Sequence, residues 1–325
     1  MLKRFLPLLF VVFVTLATVV LFLAFRDPAG PGDDAENAGP EQGAIQRPGA
    51  DAGQAVAGAD GVPEYPVNSE EDYLLALHAL GTSPEAIEAW ARGRGFPPGT
   101  FTAASDIPLD QPYAEYDEAT LRRLAGDGDV WAMQYLAAEL GRTRPVEAIE
   151  WNLAAAVEGS VYAVREQGEL YYDLDHALER GKTERWDEET LGAVKALAAA
   201  EGPLDTAGLA WLMAAEVEGR LPPGSLAVTR ARFHDRSHAV DEACRRARGI
   251  LADLAGRRAA ANVTFTAAPP PFSVELPPEE TAGYCPPDVL PRPDYSGCQT
   301  VRLVSGSGSV TAHRCPAGDP GAGGR

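Results

Sequence analysis

Residues Ile149–Gly159 read IEWNLAAAVEG, and residues Leu209–Gly219 read LAWLMAAEVEG. Six of the eleven positions coincide at an offset of sixty: the Trp, both Ala, the Val, the Glu and the Gly. A second pair, Tyr116-DEATL and Trp186-DEETL, recurs at an offset of seventy. In it Asp117 and Asp187 hold the place of helix N-caps, with Thr120 and Thr190 three residues on. The pairs come in the same order, so the chain repeats internally, and the ten-residue difference in offset places an insertion or deletion inside the unit. The longer motif is a packing device. Trp151, with Trp211 in the second copy, fills space between helices, and Ala148 belongs to the same packing set. Ala154 and Ala155, like Ala214 and Ala215, let a neighbouring helix come close. Gly159 and Gly219 end their helices where the backbone must turn. Such a unit cannot bury its apolar face alone, so neighbours must stack on it.

Outward from the motif, residues 67–260 carry many helix signals and almost no strand signals. Ser69-Glu-Glu-Asp opens an apolar run that stops at Gly81. Ser83-Pro84-Glu85 supplies an N-cap with proline in the first turn, and Gly93 ends that segment. Val146, Ile149, Leu153 and Val157 share one helical stripe. The reading is a set of short antiparallel helices joined by Gly- and Pro-bearing turns.

These residues resemble a known family. The stretch Asp129–Ala163 is similar to a Sel1-like repeat, a relative of the tetratricopeptide repeat, through Ala132, Leu136, Ala137, Ala148, Trp151, Ala154, Ala155, Gly159 and Ala163. A second, partial match runs through Trp211, Ala214, Ala215 and Gly219. The resemblance implies a tetratricopeptide-like α-solenoid that binds other proteins or organises envelope and signalling complexes, with no catalysis of its own.

The two ends read differently. Phe5–Phe25 is an uncharged apolar run of 21 residues, roughly 31 Å as a helix, which matches a hydrocarbon core. Lys3 and Arg4 precede it, while Arg26 is followed at once by Asp27, Asp33, Asp34 and Glu36. The positive-inside rule predicts a single-pass span with its N-terminus in the cytoplasm and the bulk of the chain outside. Lys3, Lys182 and Lys195 are the only lysines, a composition of GC-rich bacterial genomes, which makes the expected location a bacterial inner membrane with a periplasmic body. The expected order is a stub and anchor over 1–26, a disordered acidic Ala/Gly/Pro tether over 27–66, a helical repeat domain over 67–260, and a Pro-rich tail over 261–325.

All four cysteines lie at or beyond residue 244. Gln299-TVRLV and Ser309-VTAHR read as strands around Ser305-Gly-Ser-Gly308. A two-residue turn makes Ser305 face Gly308, so facing residue numbers sum to 613, and Cys298 and Cys315 obey that sum. They fall on a pair without ladder hydrogen bonds, where side chains are closest. The predicted bonds are Cys298–Cys315 and, by remainder, Cys244–Cys285. The fold class expected overall is mainly α: a transmembrane helix, a helical repeat domain, and a short disulfide-stapled β-hairpin tail.

The functional reading follows. With 28 Lys+Arg against 47 Asp+Glu, the net charge of -19 argues against a nucleic-acid partner, since phosphate binding needs a basic footprint. No G-x-S-x-G, P-loop or G-x-G-x-x-G occurs, so no catalytic residue or cofactor is expected. Tyr162, Tyr171 and Tyr172 could stack on a sugar or peptide but sit at core spacing. His234 and His238 lie four apart, a helical metal spacing that needs a third ligand, which Cys244 supplies only when reduced. The expected function is a membrane-anchored periplasmic scaffold that engages other envelope proteins or cell-wall material. The alternative is an envelope hydrolase or metal-dependent enzyme using His234 and His238.

Overall fold

The computed structural model describes residues 54–100, 112–224, 226, 240–266, 268–276, 281, 284–306 and 308–316. Two compact units divide the chain: residues 1–81 with 301–310, and residues 82–300 with 311–325.

In the smaller unit, β1 (Val56–Ala57) pairs antiparallel with β2 (Pro63–Pro66), and α1 (Glu70–Ala79) follows. Ser69 caps α1 by accepting the amide of Asp72 at 3.1 Å, and Gly81 takes the positive φ of 65° that ends the turn. Strand β4 (Gln299–Ser305) runs parallel to β2, with Glu64 opposite Arg302 and Tyr65 opposite Leu303. Arg302 clamps this register by donating to Glu64 and Asp60, both at 2.6 Å, and it holds the Asp60 carboxyl below the usual range.

The larger unit holds most of the helices: α2 (Pro84–Arg92), α3 (Glu118–Gly126), α4 (Val130–Leu140), α5 (Pro145–Val157), α6 (Val161–Glu179), α7 (Glu188–Glu201), α8 (Leu204–Glu218) and α9 (Val240–Ala261). Their starts are set locally. Ser83, Asp117, Asp129, Ser160 and Asp187 each accept an amide from the first turn at 2.8–3.3 Å. Helix α3 packs on α4, α4 on α5, α5 on α6, α6 on α8, and α8 on α9, while α7 lies against α5 and α8. One core runs through Leu136, Leu140, Ala155, Val164, Met213, Ala214 and Leu254 and reaches Cys285 and Leu290 of the Pro-rich segment.

The tightest approach is between α6 and α8. A Cβ on Gly168 would lie 2.7 Å from the Gly208 carbonyl oxygen, and one on Gly208 would lie 2.8 Å from that of Gly168. Real side chains never come so near, so these two glycines, not the alanine pairs, set the closest helix crossing. The alanines are core: Ala148, Ala155, Ala214 and Ala215 are fully buried, Ala154 is half-buried, and Trp151 and Trp211 flank the core.

The offset difference also has a structural cause. Between α3 and α5, which begin and carry the first copies, the chain inserts the 11-residue α4; between α7 and α8 there is no helix. The copies end differently as well. Gly159 takes φ of 101°, whereas Gly219 stays right-handed and Arg220 takes the positive φ of 49°.

Three expectations need correction. The β structure is a mixed five-stranded sheet in the order β1-β2-β4-β5-β3, with β3 (Phe272–Val274) and β5 (Gly308–Arg314), rather than a lone hairpin. Residues 54–66, read as the end of a tether, contain β1 and β2. Long-range parallel pairing of a four-residue strand between two prolines leaves no local periodicity to read. The single-pass inner-membrane placement is also overturned: among the described residues no helix is long and apolar enough to cross a membrane. The two longest, α6 and α9, carry charged side chains on nearly every turn, such as Arg165, Glu166, Glu169 and Asp173 in one and Arg245, Arg246, Asp253 and Arg257 in the other. The apolar run at residues 5–25 lies outside the described residues, as does 27–53 of the proposed tether.

The glycine crossing gives a direct test. Gly168→Ala should lower stability by about 1–3 kcal/mol through overpacking, measured by denaturant unfolding. Gly192→Ala, on α7 with nothing near its Cβ position, should raise it by about 0.5–1 kcal/mol.

Candidate functional site

The cysteines pair as Cys298–Cys315, with Cα atoms 4.2 Å apart, and Cys244–Cys285, with Cα atoms 5.6 Å apart. Thr300 Oγ1 meets His313 Nδ1 at 3.3 Å and Ser305 donates to the Gly308 carbonyl at 3.4 Å, contacts whose residue numbers also sum to 613. The His313 ring stacks on Tyr295 at 4.1 Å. Because Cys244 is oxidised, it cannot serve as a thiolate ligand. His234 and His238 lie outside the described residues, and among the described residues no three His, Cys, Asp or Glu side chains are grouped to hold a metal.

Both copies of the long motif end at one buried side chain. Arg258 of α9 donates to Glu218 at 2.6 Å and to the carbonyl of Ala156 at 2.8 Å. Its guanidinium carbon lies 4.0 Å from the Phe265 ring centroid. Phe265 in turn sits where a Cβ on Gly159 would come within 3.3 Å. Burial raises the Glu218 carboxyl in spite of Arg258. Helix α9 stops just beyond: Asn262 takes φ of 57°, and Val263 donates back to the Arg258 carbonyl at 2.9 Å. Asn262 is thus the helix terminator.

A second buried acid, Glu216, organises the outer side of α8. It accepts from the amides of Gly224 and Leu226 at 3.0 and 3.1 Å and from the Tyr284 hydroxyl. The Pro-rich segment 284–293 is therefore tied to α9 by the Cys244–Cys285 bond and to α8 by this carboxylate. The hollow between them holds only about 10 Å³, too little for a ligand.

An accessible cluster of unusual side chains lies elsewhere, where a 3-10 turn (Pro112–Glu115), α4 and the start of α6 come together. Tyr113 stacks on Tyr135, with centroids 5.6 Å apart and planes at 24°, and meets the edge of Tyr116 at 5.8 Å. The Tyr113 hydroxyl donates to Asp129 at 2.8 Å, the same residue that caps α4. Burial, with Asp129 beside it, pushes this hydroxyl up to about 12. In the first turn of α6, Tyr162 packs edge-on to Phe96 at 5.8 Å, with Arg165 over its ring at 5.8 Å. Burial and the Glu166 carboxylate raise the Tyr162 hydroxyl, and Tyr135 adds to that shift. The Glu166 carboxyl is itself raised by burial and by Glu169 and Asp173, against the pull of Arg165.

Of the three tyrosines singled out in the sequence, Tyr162 joins this cluster, Tyr171 is core at 4% exposure, and Tyr172 is half-buried beside His176. Tyr113, Tyr116 and Tyr135 carried no periodic signal. The one clue for Tyr113 and Tyr116 is the crowding of aromatics just before the Asp117 cap, and Tyr135 has none.

No protein-family model, no curated protein and no solved structure matches this chain. The Sel1-like resemblance therefore rests on its own residues.

Two measurements follow from these groups. Arg258→Ala should cost about 3–5 kcal/mol, because it strands the Glu218 carboxylate and the Ala156 carbonyl in the core. For Glu166, the folded-state carboxyl binds its proton more tightly than the unfolded one, so its ionisation destabilises the fold as pH rises above 4.5. Glu166→Gln should raise the melting temperature at pH 7, and the gain should shrink as pH falls toward 4.5.

Proposed function

We infer that the helical body is a protein-interaction module of Sel1-like type that docks a partner on the tyrosine-lined face at the start of α6. The observation that carries this reading is the cluster of Tyr113, Tyr116, Tyr135 and Tyr162 on three adjoining elements, partly open to solvent. Tyrosine gives a large apolar face with a polar tip and only two rotors to freeze, which suits it to binding surfaces. Broad apolar docking is disfavoured. Among the described residues the large hydrophobics classed as exposed are Val56, Leu75 and Tyr116, and Tyr116 is the one beside the cluster. The repeat motifs support the same reading from the inside. Their tryptophans and alanines are spent on packing and leave the outer positions of α4 and α6 for recognition.

A photo-crosslinking residue placed at position 116 tests it. In cells that produce the protein it should capture a discrete partner that the same residue at position 257, on the exposed side of α9, does not. The captured partner should bind the purified chain at least tenfold more weakly after Tyr116→Ala, a loss of about 1.4 kcal/mol or more. Equal capture at both positions, or unchanged affinity in the variant, would rule this face out.

A further inference from the structure

The end of α6 presents a second feature, unrelated to the tyrosines. Asp173, His176, Ala177, Arg180, Lys182 and Arg185 line an open hollow of about 210 Å³, room for several waters' volume. Several arginines elsewhere are committed to carboxylates: Arg122 and Arg144 to Glu118 and Glu147, Arg165 to Glu166 and Glu169, Arg246 to Glu242, Arg258 to Glu218, and Arg302 to Asp60 and Glu64. Arg180, Lys182 and Arg185 form no ion pair among the described residues. Three unpaired cations around one hollow are conspicuous in a chain of net charge -19.

The three residues are exposed, but the backbone that carries them is fixed. Helix α6 closes with Gly181 at φ of 62°, the Lys182 amide on the Ala177 carbonyl at 2.9 Å, and the Gly181 amide on the Leu178 carbonyl at 3.3 Å. That turn already satisfies carbonyls at the helix end, so the cations are not needed to cap it. The following residues are pinned by Trp186, which is 7% exposed and donates its indole N–H to the Arg142 carbonyl at 3.1 Å. Arg185 lies over the Trp186 ring at 5.1 Å. The backbone that carries the three cations is therefore held at both ends.

We propose that this hollow binds a small phosphate-type oxyanion, with Arg180 and Arg185 offering planar forks and Lys182 a point charge. Three formal positive charges face one carboxylate, Asp173, among the lining residues. Guanidinium forks match the oxygens of a phosphate in pairs. An anion of two or more charges gains most from such a site, because each cation is solvated and screened when it acts alone.

Calorimetric titration of the full chain with inorganic pyrophosphate at low salt tests the assignment, with citrate as the carboxylate of comparable charge. Pyrophosphate should bind saturably at one site, more tightly than citrate, and more weakly as salt is raised. Lys182→Ala with Arg185→Ala should weaken it at least tenfold. Arg245→Ala with Arg257→Ala, which removes the same charge from the exposed side of α9, should change it less than twofold. If the first double variant unfolds, Arg180→Ala serves in its place with the same expectation. Absence of saturable binding, equal losses in the two double variants, or citrate binding as tightly as pyrophosphate would each overturn the proposal.

Discussion

The guanidinium of Arg258 holds the C-terminal ends of the two motif helices to the last long helix, and much of the larger unit is arranged around it. It reaches the Ala156 carbonyl in the first copy and the Glu218 carboxylate in the second, while its face rests on Phe265. A buried guanidinium is costly unless nearly all its donors are used. Arg258 meets part of that demand: Nη1 and Nη2 each donate one bond, and Nε is left without a partner. The geometry then fixes three things together: the separation of α5 from α8, the angle at which α9 crosses them, and the path of the chain after Asn262.

From that point the Pro-rich segment has little freedom. The segment past Phe265 places the Ala268 carbonyl to accept from the Trp90 indole and from Arg94, each at 3.0 Å. Farther on, Tyr284 and Cys285 are held by Glu216 and Cys244. Apart from the short strand β3, this Pro-rich segment is anchored by side chains of α2, α8 and α9. The C-terminal ends of the two motif helices lie against the chain's own later segments, through Phe265 at Gly159 and Tyr284 at Glu216. The tyrosine cluster and the basic hollow are both fed by α6, one at its start and one at its end.

Local signals were legible because their physics is local. Ser69, Ser83, Asp117 and Asp187 cap helices within three residues of themselves, and each does so in the fold. The cysteine pairing of the hairpin followed from strand periodicity across a short turn. Non-local features were not legible. Strand β2 needs β4, some 240 residues away, to be a strand at all. Gly168 and Gly208 look like weak points in their own helices until the two backbones are seen to touch. Arg258 reads as one basic residue among several on an exposed helix, and Tyr113 and Tyr116 as aromatics in a turn.

By itself the sequence determined the helical character of the middle of the chain, the starts of its helices, the duplicated packing motif and the pairing register of the last two strands. Each depends on contacts within about one or two helical turns or across one hairpin, where spacing alone sets the geometry. Only the tertiary structure decided which helices touch, that the β structure is a mixed sheet, which charges are buried and which stay unpaired, and where aromatic side chains gather. Those outcomes depend on burial and on partners far apart in the chain. A side chain's desolvation and electrostatic surroundings exist only once distant segments have been brought together.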